Sequence, residues 1–130
     1  DTRAFNRIMD AFALPKGSEE EISLRKKAIN EATVYACEVP FEVMKTAHAS
    51  LEIIGEMVEK GNKNSVTDAG VGALCIRAAV QGAYLNVKVN AAGLKDASPV
   101  EALLLEAEKI FTDTEARVAA LIKKVEASLL

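Results

Sequence analysis

Hydrogen-bonding groups crowd one segment of the chain, GNKNSVTD (Gly61 to Asp68), where Asn62, Lys63, Asn64, Ser65 and Thr67 precede a helical pattern. A helix N-terminus presents unsatisfied N–H groups and a positive dipole end, so the segment suits an anion. The same residues also read as a cap: Asn64 or Ser65 caps, and Asp68 sits in the first turn, where an acid is stabilised. Beyond it, polar residues are scarce. Asp68, Arg77, Gln81, Asn86, Lys88 and Asn90 interrupt an otherwise apolar stretch from Ser65 to Ala92. A buried polar group without a partner costs about 1–3 kcal/mol, so each needs a reason to be there. Asp68 and Asn86 share one helical azimuth, because eighteen residues make five turns, yet they lie about 27 Å apart along the axis. One straight helix cannot aim both at one small molecule. An antiparallel partner helix, as in a homodimer, could bring opposite ends together.

Other reactive residue types carry less. His48 lies between alanines and reads as structural or solvent-exposed. Cys37 and Cys75 have small or apolar neighbours and read as core residues, not nucleophiles. Arg25, Lys26 and Lys27 read as a solvated face, as do Arg3, Asn6, Arg7 and Asp10. One His and two distant Cys do not make a zinc site, and no metal is expected. No phosphate loop, dinucleotide fingerprint, nucleophile elbow or zincin motif is present.

The elements that must position these residues are helices. Phe5, Ile8, Met9 and Phe12 follow helical spacing up to about Leu14, where Pro15 and Gly17 punctuate the chain, Gly17 being suited to a left-handed exit. Ser18 with Glu21 is a capping-box signature. A long second helix carries Ala28, Ala32, Tyr35, Val39, Val43, Ala47, Leu51, Ile54 and Val58 as its stripe and ends at Lys60-Gly61. Pro40 lies inside it and predicts a kink near Val39, or two helices meeting there. The third helix is apolar on every side and rich in Gly and Ala, which predicts a central, wholly buried helix with close backbone approach. The last begins at Ser98-Pro99 and buries Leu103, Leu104, Ala107, Ile110, Phe111, Ala116, Val118, Leu121, Ile122 and Val125. No period-two pattern occurs. The fold class expected is all-α, an antiparallel helical bundle forming one domain over residues 1–130.

Composition narrows the function. With 50% hydrophobic and 27% charged residues, the 130-residue chain suits one soluble globular domain or part of one. A net charge of −3 argues against general nucleic-acid binding. No apolar run approaches the ~18 residues of a membrane helix. Two cysteines fit a reducing, cytoplasmic setting. Residue 1 is Asp, without an initiator Met or leader, and the first helix reads as one that continued upstream of a cut. The alternative reading is that Asp1 and Thr2 cap a helix that starts here.

The stretch GNKNSVTDAGVGALCIRAAVQGAYLNVKVNAAGLKD (Gly61 to Asp96) resembles the cyclodeaminase domain of formimidoyltransferase-cyclodeaminases. DTRAFNRIMDAFALPKG at the start and EVPFEVM around Pro40 fit the same family, which includes bacterial methenyltetrahydrofolate cyclohydrolases. The resemblance runs essentially from Asp1 to Leu130. It implies a bundle that dimerises, as a homodimer or higher homo-oligomer, and takes a tetrahydrofolate derivative as substrate. The implied reaction is an ammonia lyase step in histidine degradation and one-carbon metabolism. N10 attacks the formimidoyl carbon on N5, ammonia leaves, and 5,10-methenyltetrahydrofolate remains. Such a step needs a proton acceptor and a donor to the departing amine, and the match of NSVTDAG gives Asp68 that role. It implies Asn62, Asn86 and Asn90 for positioning the pterin or formimidoyl group. Lys63, Arg77 and Lys88 are implied for the glutamate tail, and Asp1 and Asn6 for the cleft wall. A formimidoyltransferase domain is an implied partner. The family pattern also implies about 70 further residues upstream, with a serine-containing glycine-rich loop. Two helices missing from the bundle would leave apolar surface open on the third helix. The cyclohydrolase reaction and a non-catalytic helical assembly module are the alternative readings.

Overall fold

The computed structural model describes residues 2–129. Four helices follow one another: α1 (Thr2–Ala13), α2 (Glu19–Lys60), α3 (Val66–Ala91) and α4 (Glu101–Ala127). A 3₁₀ turn over Lys63–Ser65 precedes α3, and another over Ser98–Val100 precedes α4. No strand occurs among the described residues, so the chain is all-α.

Ser18 starts α2 as expected. Its hydroxyl accepts from the Glu21 N–H, and the Glu21 carboxylate accepts from the Ser18 and Gly17 N–H groups. Pro40 does not split α2, which runs unbroken through it for 42 residues. Gly17 takes no left-handed exit, because no described residue has a positive φ in that range. Arg25 instead holds the turn, donating from Nε and Nη2 to the Phe12 carbonyl at the end of α1. Neither Asn64 nor Ser65 caps α3 through its side chain. Asn62 caps the preceding 3₁₀ turn, accepting from the Asn64 N–H at 3.0 Å.

Side-chain pairings fix the directions. α3 runs antiparallel to α2, since Asn90 meets Ala36 while Gly72 lies against Ile54. α4 runs antiparallel to α3, pairing Arg77 with Glu115 and Tyr84 with Glu108. α2 and α4 are therefore parallel, linked by His48–Asp113 and Lys124–Glu59. α1 folds back along the first half of α2, with Arg7 over the Tyr35 ring.

The core lies where α2, α3 and α4 meet. Met44, Val80 and Val87 are fully buried with Phe41, Tyr84 and Ala107 in one cluster, and Leu51, Ala73, Val118 and Leu121 form a second. Small residues allow close approach: a Cβ on Gly72 would meet Ile54 Cδ1 at 2.9 Å, and one on Gly70 would meet Val125 Cγ1 at 3.2 Å.

The expectation of a wholly buried α3 is corrected. One face packs, while Val71, Leu74, Leu85 and Val89 are 47–65% exposed on the other. Cys75 is exposed on α3, so it is not the core residue expected, whereas Cys37 is buried. Ala116 is exposed and Thr114 is buried instead, its hydroxyl satisfied by the Ile110 carbonyl.

Candidate functional site

Between α1, α2 and α3 lies a groove of about 550 Å³. Phe5 and Ile8 of α1 form one wall, Val39, Pro40 and Val43 of α2 another, and Ala79, Ala83, Asn86 and Asn90 of α3 the third. Alanines make it: α1 approaches through Ala4 and Ala11, and Ala79 and Ala83 leave space where larger side chains would fill it. Its described walls carry no charged residue. An apolar slot with two carboxamides at one end suits a flat, neutral, hydrogen-bonding ring.

Asn90 is half-buried, and its Nδ2 donates to the Ala36 carbonyl at 2.7 Å. Asn86 is exposed, one turn earlier on the same side. These are the two expected site residues that the fold brings together.

The others are dispersed. Asp68 is exposed in the first turn of α3, about 27 Å along the axis from Asn86. Asn62 and Lys63 lie at that same end, both exposed. Arg77 turns toward α4 and clamps Glu115, with Nε to Oε1 at 2.8 Å and Nη2 to Oε2 at 2.6 Å. Lys88 places Nζ 5.2 Å from the centre of the Tyr84 ring, also on the α4 side. Asn6 lines a shallow depression with Arg3, Arg7, Asp10 and Tyr35. Asp1 lies outside the described residues.

The structure adds residues that the sequence reading missed. The Tyr84 phenol donates to Glu108, and the ring stacks on Phe111 at 4.8 Å and 14°. That hydrogen bond, with burial and the Glu108 charge behind it, pushes the Tyr84 hydroxyl above its ordinary value. Burial, aided by Glu38, likewise pushes the Cys37 thiol up and keeps it unreactive. His48 is structural, its Nε2 2.6 Å from Asp113 Oδ2. No described group of three or more His, Cys, Asp or Glu is placed to hold a metal ion. No described helix is long and apolar enough to cross a membrane. Phe5 and Ile8 as groove walls were hidden because the helical period shows an apolar face but not what it faces.

Compared with known proteins, residues 1–109 match the family model described as Formiminotransferase-cyclodeaminase. The chain is 37% identical over 116 residues to a methenyltetrahydrofolate cyclohydrolase of Methylorubrum extorquens, covering 89% of this chain and 56% of that protein. It is 34% identical over 126 residues to the formimidoyltransferase-cyclodeaminase of Gallus gallus, covering 97% of this chain and 21% of the relative. With that of Dictyostelium discoideum it shares 32% over 115 residues, covering 88% and 20%. The chain thus spans about half the length of the cyclohydrolase and about a fifth of the bifunctional relatives.

Proposed function

Because the chain belongs to the formiminotransferase-cyclodeaminase family, we propose that its groove binds a reduced folate and that the complete protein is a cyclodeaminase. The reaction converts 5-formimidoyltetrahydrofolate to 5,10-methenyltetrahydrofolate and releases ammonia. The observation that carries this reading is the uncharged groove edged by Asn86 and Asn90, within the residues that match the family. A pterin ring is flat and bordered by N–H donors and acceptors. Apolar walls take its faces and carboxamides take its edge.

Asp68 is the acid/base in this reading. Its carboxylate accepts the N10 proton, protonates the departing amine and stabilises the cationic amidinium and methenyl species. Because Asp68 is remote from the groove of its own chain, the site is completed by a second copy whose α3 lies antiparallel. Asp68 and Asn86 share an azimuth, which supports that arrangement. Asn62 and Lys63 of the second copy come with Asp68, and Lys63 meets the glutamate carboxylates. Arg77 and Lys88 are engaged on α4, so Lys63 is the cation this reading retains for the tail. Asn6 borders the far side of α1. The protein works in the cytoplasm, where Cys37 and Cys75 stay reduced.

The 37% identity to a cyclohydrolase favours a second reading, in which water adds to the methenyl carbon and opens the ring to 10-formyltetrahydrofolate. Near-ultraviolet absorbance separates the two. The purified chain given 5-formimidoyltetrahydrofolate generates the methenyl band faster than a no-protein control if it is the deaminase, and Asp68→Asn removes that acceleration. Loss of the band from added methenyltetrahydrofolate identifies the cyclohydrolase. If the chain shows neither reaction, the complete protein is assayed in the same way, and neither reaction there, together with no folate binding, overturns both readings and leaves a helical assembly module.

A further inference from the structure

In an α-helix each N–H donates to the carbonyl four residues back. Pro40 has no N–H, so it leaves the Ala36 carbonyl without its helical donor, and its ring presses on that same carbonyl. Yet α2 continues without a break. The missing donor comes from another helix: Asn90 of α3 donates Nδ2–H to the Ala36 oxygen at 2.7 Å. A carbonyl can only accept, so the bond dictates which way the Asn90 amide faces. One N–H of Nδ2 is committed to α2, which fixes the amide plane and sets the positions of Oδ1 and the second N–H. Ala36, Pro40 and Asn90 all line the groove.

We propose that Pro40 is a positioning residue: by withholding a donor from Ala36 it pins the Asn90 amide, so that Oδ1 meets an N–H group of the ligand. An amide able to flip would offer a donor or an acceptor equally. A pinned one rejects ligands that place an acceptor there, since two facing acceptors leave both unsatisfied. The inference rests on the folate reading of the groove and adds the polarity of one contact: the ring edge at Asn90 presents an N–H.

Pro40→Ala tests this with 5-formyltetrahydrofolate as the probe, its binding measured by calorimetry. Restoring the backbone N–H and removing the ring clash raises Tm, by roughly 5 °C or more. Releasing Asn90 weakens the probe Kd by about tenfold. A Tm rise with unchanged Kd overturns the proposal, because a merely structural proline would behave in that way. Asn90→Leu supplies the second arm. It lowers Tm in the native background, where it strands the Ala36 carbonyl, and much less in the Pro40→Ala background, where residue 40 supplies the donor. Equal losses in the two backgrounds overturn the Pro40–Asn90 link. Failure of the unmodified chain to bind the probe overturns the folate reading instead, and the Tm cycle still decides the link.

Discussion

The two sides of α3 carry similar kinds of residue and use them differently. Toward α4, charges are paired and rings stacked: Arg77 clamps Glu115, Tyr84 bonds Glu108 and stacks on Phe111, and Lys88 covers the Tyr84 ring. Toward α1, small residues open a groove whose only polar wall groups on α3 are two carboxamides. The difference teaches what polarity on an apolar helix means. A polar residue facing a packed neighbour is consumed by that neighbour, whereas one facing a gap remains available to a ligand. Arg77 and Asn86 look equally functional in the sequence, but their surroundings separate them.

That contrast can be broken most severely at the packed side. Met44 is fully buried among α2, α3 and α4. Met44→Ala should cost about 2–5 kcal/mol of stability, read by urea denaturation. Filling the groove should do the reverse. Ala79 is an exposed wall residue, so Ala79→Phe should weaken binding of a reduced folate by about tenfold or more while Tm changes little.

A subtler effect is alkaline. The folded-state value of Tyr84 is raised, so the folded chain holds that proton more tightly than the unfolded one. The stability this contributes is fully present below the unfolded value of about 10 and is lost as pH rises through the folded value. Ultraviolet titration should find Tyr84 ionising above 10, and Glu108→Gln should bring the transition down. The smallest effect is expected at Arg77, where both partners of the pair are partly exposed. Arg77→Met should change stability by about 0–1 kcal/mol and leave folate binding unaltered.

The sequence made the helices legible for local reasons. Ser18 and Glu21 lie three apart and specify their own cap, and Lys60-Gly61 ends α2 without help from elsewhere. Pairing between helices was not legible, because it depends on which face meets which. The α2 stripe from Ala28 to Val58 omitted Ala36, Cys37, Phe41 and Met44, which are buried because α2 packs on several neighbours and not along one seam. Asn90 shows the same limit at the groove. Arithmetic along α2 identifies Ala36 as the carbonyl orphaned by Pro40, but only the register of α3 against α2 supplies its donor. Asp68 was legible as a residue of a family block and not as a member of the groove, since a single chain leaves it at the far end of α3.

The seating of α1 has a consequence for the order in which the molecule comes apart. Three of the large apolar side chains of this helix, Phe5, Met9 and Phe12, are more than half exposed and add little to hold it in place. It buries chiefly Ala4 and Ala11, and its far end is tied to α2 by the exposed Arg25 clamp. Its amides should therefore exchange with solvent hydrogen through local opening, well before those of the three longer helices. Opening α1 also removes the Phe5 and Ile8 wall, so an occupied groove resists it. Protection of the α1 amides from deuterium would then report occupancy directly, rising with ligand concentration while the amides around Met44 stay unchanged.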